Sequence, residues 1–321
     1  MIARLLVSAL IVATGAVMLA ACGTGGARSA THQTADVAYA GSLQLLNEHT
    51  IGPAFAKATG YGYLGRGAGS FGLSKEIAAG EIAPNVFESI GSAPITELEP
   101  ARTSWYVSFA ASPIVVAYNP HTAYAPTLKL ISEGKLPLTR LFSLLDTKGF
   151  LLGRTNPNTD PQGQAFCEMI DLAIRRYHLP RSLFTKILGP LDNPSQVFSE
   201  TLLEARLSAG QLDAASAFES QAIELHLPYV ALPPAINFGD PNLARTYATA
   251  KLTLAKGSVV HGVPLLVDAT VIGHTDTLAA DAFVRYQLNG PGKQAFIRAG
   301  YTSFPPIFVG TGVPKSVRDA R

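Results

Sequence analysis

The chain has 321 residues, of which 47% are hydrophobic and 15% are charged, and its formal net charge is +2. A net charge this close to zero gives no reason to expect nucleic acid or another charged polymer as a partner. The length and the apolar content suit a protein of two domains of ordinary size.

The first 22 residues have the features of a secretory signal peptide. Arg4 supplies positive charge, residues 5–20 are almost all apolar, and Leu19-Ala20-Ala21-Cys22 follows. This tetrad resembles the bacterial lipobox, whose cysteine is lipidated and becomes the new N-terminus; an ordinary cleaved signal is the alternative. Residues 23–34 are mostly small and polar, which predicts a flexible tether. We therefore expect an exported protein that a lipid on Cys22 anchors to the membrane, in the periplasm or on the outer face of the cytoplasmic membrane.

Beyond the tether, short apolar segments alternate with segments of helical period, and this pattern predicts an α/β protein with mainly parallel sheets. The predicted strands are Asp36–Ala40, Asn85–Ser89, Ser112–Tyr118, Gly149–Gly153, Ala214–Phe218, Pro228–Leu232 and Leu252–Ala255. The predicted helices are Ser42–Thr59, Ser70–Ala79, Thr139–Leu145, Gln162–Tyr177, Glu200–Ala209, Thr277–Leu288 and Lys293–Ala299.

Two segments have the character of crossings between lobes. Residues 108–118 form a long apolar passage, and residues 236–256 return the chain. These crossings predict a discontinuous lobe 1, made of residues 35–115 plus 250–321, and a continuous lobe 2 of residues 116–249. In such a protein the ligand lies in the cleft between the lobes, at the carboxyl ends of strands.

Two glycine-serine stretches are expected where an extended segment becomes a helix. They are Ala40-Gly41-Ser42-Leu43 and Gly67-Ala68-Gly69-Ser70. A helix start carries unpaired N–H groups and partial positive charge, glycine lets a ligand approach the backbone, and serine adds a hydroxyl donor. Two such starts facing each other would bind a small oxyanion without lysine or arginine.

Other functions fit the residues less well. Residues 67–72 match the dinucleotide pattern G-x-G-x-x-G, but the match follows a complete βα unit instead of lying in the first one. A serine hydrolase elbow, G-x-S-x-G, is absent from the sequence, and no two histidines have the spacing of a metal site. Cys167 lies among apolar residues and is interpreted as core. We therefore expect no enzyme activity and no cofactor.

Two acids of lobe 2 follow predicted strands. Asp160 precedes Pro161 in a turn-rich loop, and the pair forms a helix start in which Asp160 is the N-cap. The same loop offers a third helix start, now from lobe 2. Glu219 follows the apolar run 214–218, where a carboxylate must be paired, solvated or metal-bound; a solvated acid at a strand end is the alternative.

The order of these motifs resembles the periplasmic molybdate- and tungstate-binding components of ABC importers, in particular the archaeal tungstate/molybdate-binding branch. The resemblance covers nearly all of the chain from Val37 on. It rests on Ala40-Gly41-Ser42-Leu43, Gly69-Ser70, residues 85–89 and 113–118, Asp160-Pro161-Gln162-Gly163, Ala217-Phe218-Glu219, Leu232-Pro233, Ile236-Asn237, Ala282-Phe283-Val284 and Gly300-Tyr301. The match is less close after Glu219, and the sequence does not rank molybdate over tungstate.

The resemblance implies a type II two-lobed periplasmic-binding-protein fold with a hinge and an interlobe ligand cleft. From lobe 1, Gly41, Ser42 and Ser70 would hold oxyanion oxygens. From lobe 2, Asp160 would act with Pro161 and Gln162 at the helix start, and Asp160 and Glu219 would reach the molybdenum or tungsten centre. The expected partners are the permease and ATPase subunits of a transporter, and the protein is expected to be a monomer. A receptor for sulfate or phosphate, or an exported lipoprotein or enzyme on the same clamshell fold, stays an alternative.

Overall fold

Two large β-sheets and one hairpin organise the protein in a computed structural model that describes residues 33–273 and 277–320. The strands are β1 (Thr34–Ala40), β2 (Gly62–Ala68), β3 (Val86–Ile90), β4 (Trp105–Ala111), β5 (Ile114–Tyr118), β6 (Leu152–Gly153), β7 (Ala214–Phe218), β8 (Tyr229–Val230), β9 (Lys251–Thr253), β10 (Val259–His261), β11 (Leu266–Val271) and β12 (Thr302–Gly310). The predicted signal peptide, Cys22 and nearly all of the tether lie outside the described residues.

The first helical run starts directly after β1 and changes its geometry along its length. A 3₁₀ turn at Gly41–Leu43 leads into α1 (Gln44–Leu46), a π-helical segment at Asn47–Ile51 and α2 (Gly52–Thr59). The other helices are α3 (Ser70–Ala79), α4 (Ala93–Thr96), α5 (Ala125–Ser132), α6 (Thr139–Leu145), α7 (Pro161–Arg176), α8 (Leu183–Leu188), α9 (Glu200–Ser208), α10 (Glu219–Glu224), α11 (Pro234–Asn237), α12 (Ala244–Tyr247), α13 (Thr277–Leu288), α14 (Gly290–Arg298) and α15 (Lys315–Arg318). A further 3₁₀ turn lies at Pro241–Leu243.

The two large sheets are mixed, so the prediction of mainly parallel sheets is wrong. The six-stranded sheet has the order β12-β4-β11-β3-β1-β2, and β1 is parallel to β2 and to β3. The remaining pairs of this sheet are antiparallel. In the four-stranded sheet, of order β6-β7-β5-β8, only the β6–β7 pair is parallel among the described residues. Two parallel strands must be joined by a long crossover. Strands β5 and β11 instead enter their sheets from the other half of the molecule, and both pair antiparallel with their neighbours.

The chain passes between the sheets twice. Strand β4 belongs to the six-stranded sheet and β5 to the four-stranded sheet, so the first passage is at Ser112-Pro113. The second lies between β8 and β11. We call the half around the six-stranded sheet lobe 1 and the other half lobe 2. The exact lobe boundaries predicted from the sequence, between residues 115 and 116 and between residues 249 and 250, stay predictions.

Many elements occur where the sequence predicts them. Helices α3, α6 and α13 and strand β7 have the predicted bounds, α7 begins and ends one residue earlier than predicted, and α9 ends one residue earlier. The sequence did not predict β2, β4, β10, β11 or β12. Cys167 is fully buried in α7 and unpaired, which confirms its interpretation as core, and burial raises its pKa to about 12. Within the described ranges, no helix combines the length and the apolar character that a membrane crossing requires.

Candidate functional site

The two glycine-serine stretches lie side by side at one edge of the six-stranded sheet. Strands β1 and β2 are parallel, and their last residues, Ala40 and Ala68, are paired in register. Each strand is followed directly by a helical turn, which begins at Gly41 in one case and at Ser70 in the other. The sheet therefore places both helix starts at the carboxyl ends of neighbouring strands; the sequence predicted the two helix starts but not strand β2.

The serines of these two stretches are both buried, but their hydroxyl groups differ. Ser70 Oγ accepts a hydrogen bond from the Ile90 N–H at 3.3 Å, which ties the start of α3 to the end of β3. Ser42 Oγ has no hydrogen-bond partner among the described residues. The Tyr301 hydroxyl fixes the backbone there by donating to the Ser42 carbonyl at 3.3 Å. A buried hydroxyl group without a hydrogen-bond partner destabilises the folded protein, and a hydrogen bond to a ligand oxygen would remove that cost.

Asp160 lies opposite these helix starts, in lobe 2. It is the N-cap of α7, Pro161 is the first helical residue, and Asp160 Oδ1 accepts from the Gln162 N–H at 2.8 Å. The capping predicted from the sequence is therefore confirmed. Burial raises the pKa of Asp160 to about 6, and the hydrogen bond from Gln162 opposes that rise. The carboxyl group consequently lies in a site that disfavours an uncompensated negative charge.

The side chain of Gln162 is committed to a polar network inside lobe 2. Its Nε2 donates to Glu200 Oε1 at 3.1 Å and to Gln221 Oε1 at 2.9 Å. Its Oε1 accepts from the Ser216 hydroxyl at 2.8 Å. The side chain of Gln162 therefore forms hydrogen bonds inside lobe 2, and its backbone N–H donates to the capping residue Asp160.

Glu219 is the first residue of α10 and is half-buried. The Tyr229 hydroxyl donates to its Oε1 at 2.9 Å, and its N–H donates to the Pro113 carbonyl at 2.9 Å. Strand β7 ends directly before it, as predicted, but Glu219 does not line the cleft described next. Its predicted contact with a ligand stays a prediction.

A cavity of about 460 Å³ separates the two lobes at the helix starts. Of the predicted site residues it brings together Gly41 and Asp160. No lysine or arginine is among the residues that line it. Its lining consists of Gly41, Gly67, Ala68 and Gly69 from lobe 1, and Asn156, Thr159, Asp160, Val197, Phe198, Ser199, Glu200 and Thr201 from lobe 2. We call this cavity the cleft.

Glu200 is the residue of the cleft that sequence reasoning missed. It begins α9, its side chain is buried, and its Oε1 accepts from Gln162 and also from Gln221 Nε2, the latter at 2.8 Å. Burial raises its pKa well above the ordinary value, and the charges of Asp160 and Glu204 raise it further. The predicted helix 200–209 did place this acid at a helix start, so a signal was present in the sequence.

Contacts across the cleft hold the two lobes against each other. The Gly72 N–H donates to the Thr159 carbonyl at 3.2 Å, and Lys75 Nζ donates to the Asn158 carbonyl at 3.3 Å. A Cβ built on Gly69 would lie 2.6 Å from the Thr159 carbonyl oxygen. The backbone of lobe 1 therefore approaches lobe 2 as closely as a glycine allows.

A second cavity, of about 640 Å³, lies beside the cleft and has a different character. Its lining is mainly apolar, with Phe71, Ile90 and Leu265 among its residues, and Pro161 faces this cavity and not the cleft. This cavity also contains donor side chains, among them Lys75, Lys256 and His261, but it is mainly apolar, whereas the lining of the cleft includes the backbone of the helix starts at Gly41 and Gly69. Within the described ranges, no group of three or more His, Cys, Asp or Glu residues is arranged to hold a metal ion.

Comparisons with known proteins agree with this architecture. A family model described as "Bacterial extracellular solute-binding protein" matches residues 35–302. A putative ABC transporter molybdenum-binding protein of Haloferax volcanii is 40% identical over 185 residues, a match that spans 56% of this chain and 55% of that protein. The molybdate/tungstate-binding protein WtpA of Thermococcus kodakarensis is 26% identical over 243 residues, which cover 69% of this chain and 66% of that one. The periplasmic molybdate-binding protein of Azotobacter vinelandii has the same fold, with a TM-score of 0.55 at 17% identity over 83% of this chain and 97% of that chain.

Proposed function

This chain belongs to the family of bacterial extracellular solute-binding proteins, and we propose that it captures molybdate or tungstate and delivers the anion to an ABC permease. Binding makes or breaks no covalent bond within the anion, so the protein needs no catalytic base or nucleophile. The two lobes would close on the anion about a hinge, and the closed form would be the one that the permease recognises.

The observation that carries this proposal is the pairing, in one cleft, of uncharged donors with a buried acid. Lobe 1 contributes the helix start at Gly41, next to the unpartnered hydroxyl of Ser42, which does not itself line the cleft, and lobe 2 contributes Asp160. Donors of this kind suit any small oxyanion. The acid does not, because a carboxylate repels an anion at short range.

Bonding of the acid to the metal centre of the anion would offset that repulsion. Molybdenum and tungsten accept additional oxygen ligands, whereas sulfur and phosphorus do not do so comparably. We propose that Asp160 supplies one such oxygen and that Glu219, released from Tyr229, supplies a second. Discrimination against sulfate would then come partly from repulsion between sulfate and the acids.

A panel of anions tests the proposed ligand. Isothermal titration with molybdate, tungstate, sulfate, phosphate and chromate should show tight binding of the first two alone, and the same two should raise the melting temperature. Tight binding of sulfate or phosphate instead would identify a receptor for another anion. No binding of any of the five would overturn the proposed function.

Single substitutions test the two acids. Asp160→Asn keeps the cap of α7 but removes the carboxylate, and we expect it to weaken tungstate binding by about 10- to 100-fold. Glu219→Ala should weaken binding in the same direction. Asp240→Asn is a matched control, because Asp240 also precedes a proline and accepts from the Asn242 N–H at 2.9 Å, but lies outside the cleft. Affinities like that of the unsubstituted protein in both site variants would contradict metal ligation.

We also propose that lipid on Cys22 anchors the mature protein. The support is the Leu19-Ala20-Ala21-Cys22 tetrad at the end of the apolar segment. In cells that process lipoproteins, the full chain should partition into the detergent-rich phase after Triton X-114 extraction. Cys22→Ser should move the protein to the aqueous phase or leave it at the size of the uncleaved precursor, and a cleaved variant that stays in the detergent-rich phase would contradict the anchor.

A further inference from the structure

The second cavity, of about 640 Å³, contains a buried carboxyl group in a mainly apolar lining. Phe71 and Ile90 line it from lobe 1, and Pro161 and Glu168 line it from helix α7 of lobe 2. Its volume lies in the range of cavities that bind small organic molecules, which are typically apolar with a few polar groups that fix the orientation of the ligand. The polar groups of this lining therefore determine which ligand it suits.

Glu168 is the lining residue whose charge the protein does not balance. It is 3% exposed, its Oε1 has no hydrogen-bond partner among the described residues, and no ion pair within the described ranges includes it. Asp171, one turn later on α7, pairs with Arg175 at 2.8 Å. Burial raises the pKa of Glu168 to about 8, and the charge of Asp171 raises it further. A buried carboxylate without a cation destabilises the protein, and a cationic group of a ligand would remove that cost.

The other ionisable residues of the lining lie at the surface. Lys75, Glu97, Lys256 and His261 are all exposed, whereas Glu168 is buried. Exposed charges are screened by solvent and by salt, so the two lysines oppose a cation at Glu168 only weakly. The cavity thus reaches the surface on one side and has its unbalanced carboxyl group on the other.

We propose that the second cavity binds a protonated amine that carries an apolar body, with the ammonium group on the Glu168 carboxylate. The apolar body packs against side chains such as Phe71 and Leu265, and the ammonium group donates a charge-assisted hydrogen bond, which is stronger than a bond between neutral groups. The site is separate from the proposed oxyanion site, because no described residue lines both the second cavity and the cleft.

A pair of probes with the same apolar body tests the class of ligand. Phenethylamine is protonated near neutral pH, and phenethyl alcohol is a neutral molecule of nearly the same shape. Titration calorimetry should give a Kd of about 1 mM or tighter for the amine, and at least about tenfold weaker binding of the alcohol. Equal binding of the two probes, or no binding of the amine at about 10 mM, would overturn the inference.

Glu168→Gln tests the residue that holds the ammonium group. The glutamine keeps the size of the side chain and removes its charge, so binding of phenethylamine should weaken by about tenfold or more, while binding of phenethyl alcohol stays within about threefold. Glu97→Gln is the matched control, because Glu97 lines the same cavity but is exposed, and it should change amine binding by less than about twofold. Thermal melts show whether both variants are folded. Amine binding that is alike in Glu168→Gln and the unsubstituted protein would show that the ammonium group lies elsewhere.

Release of a proton is a readout that a purely structural role of Glu168 would not change. With a pKa of about 8, most of the Glu168 side chains are protonated near neutral pH, and a bound ammonium group favours the ionised form. Binding of phenethylamine should therefore release a proton in the unsubstituted protein and none in Glu168→Gln. Calorimetry in buffers of different ionisation enthalpy measures this release, and equal values in the two proteins would contradict the assignment.

Titration of phenethylamine in the presence of saturating tungstate separates this inference from the proposed function. The amine should bind with an affinity within about threefold of its value without tungstate, because the two sites share no lining residue. If the amine binds and no oxyanion does, the proposed function fails and the second site stands. If tungstate binds and the amine does not, the inference fails alone. Competitive displacement of the amine by tungstate would place the amine in the cleft and would also contradict the inference.

Discussion

The two walls of the cleft differ in charge, although both begin with a strand that leads into a helix. The lobe 1 wall is formed by Gly41 and residues 67–69 and carries no ionisable side chain. The lobe 2 wall carries Asp160 and Glu200, and burial raises the pKa of both acids. In the proposed function, the neutral wall would provide affinity for small oxyanions in general, and the acidic wall would decide which of them stays bound.

The glycines of the neutral wall allow the two lobes to approach each other closely, and an unusual backbone conformation is not what requires them. Gly69 has φ −61° and ψ 130°, an extended conformation that any residue adopts. What excludes a side chain at Gly69 is the Thr159 carbonyl, and what excludes one at Gly41 is the Glu200 carboxylate. In this structure, glycine at both positions therefore allows close contact with the acidic wall.

The largest expected effect comes from separating the walls. A Cβ atom at position 69 would lie 2.6 Å from the Thr159 oxygen and 3.3 Å from Asp160 Cβ, and Gly69→Val adds a branched side chain there. The lobes should then fail to close, and tungstate affinity should fall by about 100-fold, which corresponds to about 2.7 kcal/mol. Titration calorimetry measures the loss, and a circular dichroism melt shows whether the variant is folded.

Gly72→Ala is the control for this substitution. Gly72 lies three residues later in α3, and a Cβ built on it meets nothing within 4 Å. The alanine keeps the N–H that donates to Thr159 and should stabilise the helix by about 0.5–1 kcal/mol. A comparable loss of affinity in both glycine variants would mean that closure of the walls is not what Gly69 provides.

The neutral wall could be predicted from the sequence because its signals are local. A strand, a glycine-serine pair and a helical period follow one another in residues 36–59, and the helix α3 was found with its correct bounds. The Asp160-Pro161 cap was predictable for the same reason, since an aspartate followed by proline satisfies a helix start whatever packs around it.

The features that the sequence did not predict depend on contacts with residues distant in the chain. Strand β2 is rich in glycine and partly exposed, and its pairing with β1 defines it. Strand β12 contains Pro305 and Pro306, which an edge strand with an irregular register tolerates. Strand β11 has Asp268 in the middle of its apolar run. Glu200 lies against Gly41, which is 159 residues earlier in the chain, and no local pattern contains that contact.

A buried acid away from the cleft gives a second comparison with the acidic wall. Glu88 lies in the middle of β3, fully buried, and Asn47 Nδ2 donates to its Oε2 at 2.7 Å. Burial raises its pKa from 4.5 to about 7, against the hydrogen bond from Asn47. Because the folded pKa is the higher one, the folded protein holds this proton more tightly, and the contribution of Glu88 to stability falls as the pH rises from 4.5 to about 7.

Glu88→Gln removes this dependence. Relative to the unsubstituted protein, the variant should gain about 1–3 kcal/mol of unfolding free energy between about pH 5 and pH 8. Urea unfolding at the two pH values measures the change, and tungstate affinity at neutral pH should stay within about twofold. The exposed acid Glu97, changed to Gln, is the control. If the difference in unfolding free energy between the variant and the unsubstituted protein does not grow as the pH rises, the assignment of the titration to Glu88 is contradicted.

The smallest expected effect concerns a contact between the lobes beside the cleft, at the second cavity, which we call the rim contact. Lys75 Nζ donates to the Asn158 carbonyl at 3.3 Å, and holding this long side chain in one geometry offsets most of what the contact provides. Lys75→Met should therefore change tungstate affinity by no more than about twofold, as measured by titration calorimetry at low and at high salt. A loss close to that of Gly69→Val would show that the rim contact, and not the approach of the two backbones, holds the lobes closed. In that case the neutral wall would owe its affinity to a cation, and the difference in charge between the two walls would lose its explanatory role.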